Sequence, residues 1–240
     1  MGQADARLRR RPRPDVTVSV RDAATLILVR EDGPEPAVLM GMRGGRAAFM
    51  PGKMVFPGGA VDPGDAGIPL AALPGRDCLA RLSQDSALPP EALCAAAIRE
   101  LWEETRQILG RPAPWPDAPP GWRGFAATGH RPDAAALSYV FRAITPPGNT
   151  RRFDARFFAA PASALVSDPD ALSAVEGELS GLRWVPLSQA RTLDLPFITR
   201  VVLAEVAVHG RRPAGPVPFF RHGQEESHFA RLAGRDPLDL

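Results

Sequence analysis

The alternation of apolar and polar residues along the chain indicates several short strands. Aliphatic and β-branched residues fill 23–29 and 37–42, and a turn containing Gly, Pro and acidic residues separates them, which predicts a β-hairpin. A Gly-rich loop over 44–52 leads away from this hairpin. We predict further strands at 54–56, 138–144, 152–159 and 182–186.

Two longer segments have the periodicity of amphipathic helices. The first is predicted from residue 89 or 90 to about Leu109, with Ser86 as a candidate N-cap and Gly110 as the residue that ends it. At about 100° per residue, its apolar and small side chains share one face. The opposite face carries three acids: Glu100, Glu103 and Glu104. The second helix is predicted over 196–209.

Between and around these elements the sequence predicts three regions. Residues 1–20 contain five arginines and are predicted to be a basic N-terminal tail, for which an organelle transit peptide is the alternative. Residues 21–210 hold the predicted domain. Residues 211–240 contain Pro and Arg and are predicted to be a C-terminal tail.

Composition and charge narrow the class of protein. Of the 240 residues, 45% are hydrophobic and 23% charged, and no apolar run approaches the roughly 18 residues that a membrane helix needs. The net charge is only +2 and the basic residues are distributed among 27 acids, so we expect no nucleic-acid or membrane partner. Two cysteines cannot make a disulfide framework, which fits a cytoplasmic protein.

The three acids of the first helix form a cluster that costs stability in isolation. Like charges at these spacings destabilise a helix by about 0.2–0.5 kcal/mol per pair, and only Arg99 is placed to relieve Glu103. Such a cluster becomes favourable when the carboxylates share a hard divalent cation such as Mg²⁺ or Mn²⁺. The alternative is a solvated acidic stripe.

A glycine turn and an acidic residue precede this helix and complete a motif. Pro57-Gly58-Gly59 follows a strand, where glycine lets a backbone carbonyl approach the same cation. Asp65 comes six residues after Gly59, and Arg99-Glu-Leu-Trp-Glu-Glu follows. The whole resembles the box of the Nudix hydrolase family, G-x5-E-x7-R-E-U-x-E-E-x-G-U, in which U is aliphatic and Asp65 stands for the first Glu.

Two features depart from the family pattern. Thirty-three residues separate Asp65 from Arg99 where the pattern has seven, so we predict an insertion of 26 residues within about 66–90. Insertions of this kind cost little stability because loop-closure entropy grows only with the logarithm of length. Arg106 and Gln107 stand where the box has Gly and an aliphatic residue, so the first helix is predicted to run one turn longer than in the family.

The resemblance implies a Nudix-type α/β/α sandwich with a mixed β-sheet. It also implies a Mg²⁺- or Mn²⁺-dependent pyrophosphohydrolase whose partner is a small-molecule nucleotide-diphosphate substrate. Carried over to this chain, the metal ligands are the Gly58 carbonyl, Glu100, Glu103 and Glu104. Arg99 would orient Glu103 or pair with Asp65. The general base often lies outside the box in this family, and Glu176 and Glu178 are candidates, of which Glu178 is our choice.

A second, partial pattern bears on the substrate. Residues 39–43, Gly52 and 56–59 have the spacing L-L-T-x-R-S-x3-R-x3-G-x3-F-P-G-G, which resembles coenzyme A diphosphatases of the family. Gly41 and Gly44 replace hydroxyl residues of that pattern, and Ala48 replaces its second Arg. Coenzyme A and its acyl esters are therefore the leading substrate prediction. The alternatives are ADP-ribose or NADH-type dinucleotides, and a non-catalytic Nudix-like module that binds a nucleotide.

Three arginines are candidate phosphate contacts. Arg43 ends the second strand, and Arg152 and Arg156 share one side of the strand at 151–159, if side chains alternate with period two. Asp154 lies on the same side and would neutralise both in the alternative interpretation. The opposite side, with Phe153, Ala155 and Phe157, is predicted to enter the core. The sequence leaves the oligomeric state open, with a homodimer among the candidates.

Overall fold

A computed structural model describes residues 18–45, 50–172, 179–190, 192–211, 215–222 and 227–231. The strands are β1 (Val20–Arg30), β2 (Ala37–Arg43), β3 (Met54–Val55), β4 (Gly58–Ala60), β5 (Gly110–Pro112), β6 (His130–Pro132), β7 (Ser138–Ile144), β8 (Arg152–Pro161), β9 (Leu179–Pro186), β10 (Pro218–His222) and β11 (Ser227–Arg231). The α-helices are α1 (Arg76–Leu82), α2 (Pro90–Thr105), α3 (Arg123–Ala126), α4 (Leu187–Ala190) and α5 (Phe197–His209).

Nine of the described strands form one mixed sheet. Its main path runs β11-β10-β7-β8-β1-β2-β3, while β4 pairs with β1 and β9 with β2. The predicted hairpin is confirmed, since β1 and β2 pair antiparallel with Val29 opposite Val38. The central strands β1 and β8 pair in parallel, from Val20 opposite Arg152 to Val29 opposite Pro161. β5 and β6 form a separate two-stranded sheet.

The two faces of the sheet pack against different helices. Because side chains alternate along a strand, Ala24, Leu26 and Leu28 of β1 lie in one apolar cluster with α2. Ile27 and Val29 lie on the other face, in the cluster that includes Val202, Leu203 and Val206 of α5. The fold is thus the expected α/β/α sandwich with a mixed sheet.

The first predicted helix ends earlier than the sequence suggested. α2 stops at Thr105, and Arg106 adopts a left-handed conformation with φ 59° and ψ 11°. Arg106 therefore takes the conformation that favours glycine, at the position where the family pattern has glycine. The prediction that the helix runs to about Leu109 and is ended by Gly110 is wrong, because α2 ends at Thr105 and Gly110 begins β5. Ser86 is not the N-cap, which is Pro89; its hydroxyl bonds to the backbone of Leu88.

The ends of the chain differ from the predicted tails. Part of 211–240 joins the main sheet, because β10 pairs in parallel with β7, and β11 pairs with β10. The predicted N-terminal tail falls mostly on residues 1–17, which lie outside the described residues. The predicted insertion contains α1 and is otherwise largely irregular. Within the described ranges, none of the helices has the length and apolar character to cross a membrane.

Candidate active site

The glycine turn is held against β1 by close backbone contacts. The Leu26 N–H donates to the Pro57 carbonyl at 2.9 Å. A Cβ atom on Gly58 would lie 2.7 Å from the Ala24 carbonyl oxygen and from Thr25 Cα, which is closer than real Cβ contacts. Glycine at residue 58 is thus required for β4 to lie beside β1, and this places the turn next to the acidic face of α2.

Arg99 joins the carboxylates of the motif. Its Nε and Nη2 donate to the two oxygens of Asp65 at 3.1 and 3.0 Å, the bidentate geometry that suits guanidinium. Its Nη1 donates to Glu100 at 2.8 Å and to Glu103 at 3.0 Å. Nη2 also donates to the Ala60 carbonyl at 2.9 Å, which connects α2 to the glycine turn.

Asp65 is the buried partner of this arginine. Its side chain is 2% exposed, and it also accepts the Asp62 N–H at 2.8 Å, closing the 3₁₀ turn at 63–67. Burial alone would lower the pKa of the Arg99 guanidinium, but the hydrogen bond to Asp65 and the charges of Glu100, Asp65 and Glu103 outweigh it and raise that pKa. Arg99 therefore stays charged and fixes the nearby acids.

The three glutamates surround the glycine turn in different ways. The Glu104 carboxylate is buried and accepts the Gly58 N–H at 2.9 Å. The Glu100 carboxylate lies against Gly59, where a Cβ atom would be 2.5 Å from its carboxyl atoms. The Glu103 side chain is 42% exposed. Two interpretations were open for these acids, and their convergence on Arg99 and the turn argues against a merely solvated stripe.

The residues fit a hard divalent cation by their chemistry. Carboxylates and a backbone carbonyl are the oxygen ligands that Mg²⁺ and Mn²⁺ prefer, and Glu100 and Glu103 already share one positively charged Nη1 atom. As placed, no three His, Cys or acidic side chains in the described part of the chain form a ready ligand cluster. Glu100, Glu103, Glu104 and the Gly58 carbonyl are the groups that would hold the ion.

Gly59 gives a test of the close contact with Glu100. We expect Gly59→Ala to displace the flexible Glu100 carboxylate and to lower kcat/KM by about tenfold to a hundredfold, since an error near 1 Å in positioning costs that much. The free energy of unfolding should change little. Gly58→Ala is the contrasting variant, because its Cβ meets backbone atoms of β1 and should lower the melting temperature. Unchanged kinetics for Gly59→Ala would contradict the role of this contact.

A cleft of about 470 Å³ opens beside the turn. Glu100, Gly58 and Gly59 line it together with residues from β1, β7, β8 and α5. Three arginines contribute to its wall: Arg21, Arg43 and Arg151. Five phenylalanines contribute apolar surface: Phe56, Phe153, Phe157, Phe197 and Phe220. The cleft therefore combines one carboxylate, three guanidinium groups and aromatic rings.

The structure corrects the predicted roles of the two β8 arginines. Arg156 is 1% exposed and lies on the α2 side of the sheet, where it pairs with Asp22 and Asp154. Arg142 donates to both oxygens of the same Asp154, at 2.9 and 2.7 Å. Arg152 donates to the Thr145 carbonyl and is absent from the described cleft lining. Arg156 is thus paired with two carboxylates and absent from the described cleft lining, which argues against a phosphate contact there.

The cleft contains residues that the sequence analysis missed. The alternation of side chains along β8 was predicted correctly. However, the side with Phe153, Ala155 and Phe157 lines the cleft as well as the core. Arg151 precedes β8 in the same phase, and Arg21 on β1 is paired in register with Phe153. Because alternate residues share one side of a sheet, these positions could have indicated that Arg21 and Arg151 lie on the same side as Phe153.

The remaining residues of the sequence patterns lie in the cleft, beside it on β2, or outside the described ranges. Arg43 lines the cleft, and its role as a substrate contact stays a prediction. Glu176 and Glu178, the candidate bases, lie outside the described residues, as does Ala48. Gly41 is explained by packing, since a Cβ there would lie 2.9 Å from Leu182 Cδ2. A larger hydroxyl residue would not fit beneath β9 at that position without movement of Leu182.

The chain is similar to known Nudix proteins in sequence and in fold. No protein-family model matches it. A Caenorhabditis elegans protein assigned as nudix hydrolase 7 is 28% identical over 193 residues, covering 71% of this chain and 52% of that protein. The chain thus spans about half the length of this relative. A crystal structure of a NUDIX hydrolase from Alicyclobacillus acidocaldarius is 28% identical, with a TM-score of 0.60, and covers 79% of this chain and 92% of that chain. The chain therefore resembles Nudix hydrolases in sequence and in fold, and it carries the residues of their box around one turn.

Proposed function

We propose that this protein is a Mg²⁺- or Mn²⁺-dependent pyrophosphohydrolase that cleaves a nucleoside diphosphate linked to another moiety. One observation carries the proposal: Arg99 bonds to Glu100 and Glu103, and Glu104 accepts the Gly58 N–H, so the three glutamates lie around a glycine turn at the edge of a cleft that also contains arginines. A binding module without catalysis would have no need to keep all three glutamates, and Glu100, Glu103 and Glu104 are all present. The hydrolase is therefore favoured over the non-catalytic alternative.

The residues have separate tasks in this proposal. When bound, the divalent ion would neutralise phosphate charge and lower the pKa of the attacking water. Arg99 holds Glu100 and Glu103 in position, and the Gly58 N–H holds Glu104. The water adds to one phosphorus, the P–O–P bridge breaks, and the other phosphate leaves. Glu178 remains our candidate for the group that accepts the proton from water.

Coenzyme A or an acyl-coenzyme A is the proposed substrate. Arg43 belongs to the partial sequence pattern of coenzyme A diphosphatases and lines the cleft, where its guanidinium can face phosphate. The apolar wall supplied by Phe153, Phe157, Phe197 and Phe220 suits a nucleobase or an acyl group. ADP-ribose and NADH-type dinucleotides share the diphosphate and are the alternative substrates.

A substrate panel tests this assignment. Coenzyme A, an acyl-coenzyme A, ADP-ribose and NADH are incubated with the protein and Mg²⁺ or Mn²⁺, and the phosphomonoester products are quantified. We expect kcat/KM for the coenzyme A compounds to exceed that for ADP-ribose and NADH by at least about tenfold, which corresponds to about 1.4 kcal/mol of preferential transition-state binding. Preference for ADP-ribose would reject the coenzyme A proposal. Binding of these nucleotides without cleavage of any would favour the non-catalytic module.

A further inference from the structure

The start of α5 presents free hydrogen-bond donors to the cleft. The first N–H groups of a helix have no partner inside it and need a capping group or a ligand. Here the N-cap is Pro196, which has no side-chain oxygen to accept them. Within the described residues, no acceptor bonds to the N–H groups of Phe197, Ile198 or Thr199. All three residues line the cleft.

The side chain of Thr199 is a second and independent sign of a ligand. Thr199 is 5% exposed, and it lines the cleft. Its hydroxyl forms no hydrogen bond with any group in the described part of the chain. It is also not among the fully enclosed side-chain atoms that lack a partner, so its oxygen is open to the cleft. A hydroxyl in this position, next to three N–H groups without an acceptor, is placed to donate to a ligand in the cleft.

The charge around the helix start favours an anion. The N-terminus of a helix carries roughly half a positive charge from the aligned peptide dipoles, and it is a common phosphate site. Asp194 precedes it, but the Lys53 ammonium contacts both of its carboxylate oxygens at 2.6 Å and neutralises it. Arg43 lines the same cleft. It lies on β2, which pairs with β3, and the Met54 N–H of β3 bonds to the Asp194 carbonyl.

We propose that the N-terminus of α5 and the Thr199 hydroxyl bind a phosphomonoester of the substrate, distinct from the diphosphate that is cleaved. This inference rests on the proposed function and extends it to a substrate class. Glu100 belongs to α2 and Thr199 to α5, and these helices cover opposite faces of the sheet while both residues line one cleft. The substrate class is thus a nucleoside diphosphate conjugate with an additional phosphate on its ribose.

Binding of small nucleotides in the absence of metal tests the site. The probes are AMP, adenosine 3′,5′-bisphosphate and adenosine 2′,5′-bisphosphate, measured by calorimetry with the full chain in EDTA. We expect one bisphosphate to bind about tenfold or more tightly than AMP, since a hydrogen bond to a charged group contributes about that factor. Preference for the 3′ isomer indicates a coenzyme A-type substrate, and preference for the 2′ isomer indicates an NADP-type dinucleotide.

Two variants of residue 199 assign the effect to its hydroxyl. Thr199→Val keeps the shape and removes the hydroxyl, so the preference for the bisphosphate should fall by about tenfold. Thr199→Ser keeps the hydroxyl and should retain the preference. Thermal unfolding of both variants shows that the fold persists, which is expected because the hydroxyl has no described partner to lose.

The outcomes separate this site from the hydrolase proposal. Equal binding of AMP and both bisphosphates to the unmodified protein would overturn the phosphomonoester site. An undiminished preference in Thr199→Val would overturn the role of Thr199. Because these measurements exclude metal and turnover, a protein that binds the bisphosphate but cleaves no diphosphate would keep the site and lose only the proposed reaction.

Discussion

Glu104→Gln is expected to lower kcat/KM for diphosphate hydrolysis by roughly a thousandfold, because a carboxylate that holds a catalytic cation contributes several kcal/mol to transition-state stabilisation. The amide has nearly the same shape, and its oxygen can still accept the Gly58 N–H that Glu104 accepts at 2.9 Å. The glycine turn should therefore stay in place while the charge is lost. Steady-state kinetics in Mg²⁺, together with urea unfolding, separates the two effects.

A matched substitution on the same helix controls for the removal of an acid. Glu91 lies in the first turn of α2 and outside the described cleft lining. Glu91→Gln should lose only a few tenths of a kcal/mol from the helix dipole and retain its kinetics. If Glu104→Gln kept the unsubstituted rate in Mg²⁺ and in Mn²⁺, Glu104 would not be a metal ligand. Loss of activity in Glu91→Gln as well would point to a general effect of charge on the helix.

The sequence predicted the helices and strands whose local pattern of apolar and polar residues is clear. The alternation in β7 and the amphipathic period of α5 agree with the structure to within one residue at either end. β10 and β11 lie in a Pro- and Arg-containing segment and were missed because β10 depends on pairing with β7, which lies far away in sequence, and β11 pairs in turn with β10. Non-local pairing of this kind leaves little periodicity to detect.

The end of α2 shows how tertiary contacts override local preference. Arginine is a good helix former, yet Arg106 adopts a left-handed conformation. The next residue explains this, because the buried Gln107 side chain donates to the carbonyls of Asp168 and Ala171 and accepts from the Ser167 hydroxyl. These bonds fix the chain after the helix, and nothing in the local sequence signals them.

The candidate site was predictable where a motif specifies it and less so elsewhere. Arg99 and the three glutamates follow from spacing on one helix, and the structure brings them together. The role of Arg156 depended on Asp22, an acid on a different strand, and a single strand cannot reveal such a partner. The donors at Thr199 were missed for a similar reason, since only the fold places the start of α5 at the cleft.

Arg99→Met is expected to destabilise the fold by about 3–5 kcal/mol, the usual cost of leaving one member of a buried ion pair without its partner. Asp65, 2% exposed, would keep its bond from the Asp62 N–H but lose both bonds from the guanidinium. Activity should also fall by about a hundredfold or more, because Glu100 and Glu103 lose the group that orients them. Urea unfolding and kinetics measure the two losses separately.

Removal of both buried charges distinguishes pairing from orientation. The double variant Asp65→Asn with Arg99→Met no longer buries an unpaired carboxylate, and an amide oxygen at residue 65 can still accept the Asp62 N–H. We expect it to recover about 1–3 kcal/mol relative to Arg99→Met alone, as coupled neighbours do in double-mutant cycles. Its activity should stay low, because Glu100 and Glu103 remain without Arg99. The single variant Asp65→Asn completes the cycle, and a double-variant loss equal to the sum of the two single losses would mean that Asp65 and Arg99 are not energetically coupled. Recovered activity would mean that Arg99 does not position the glutamates.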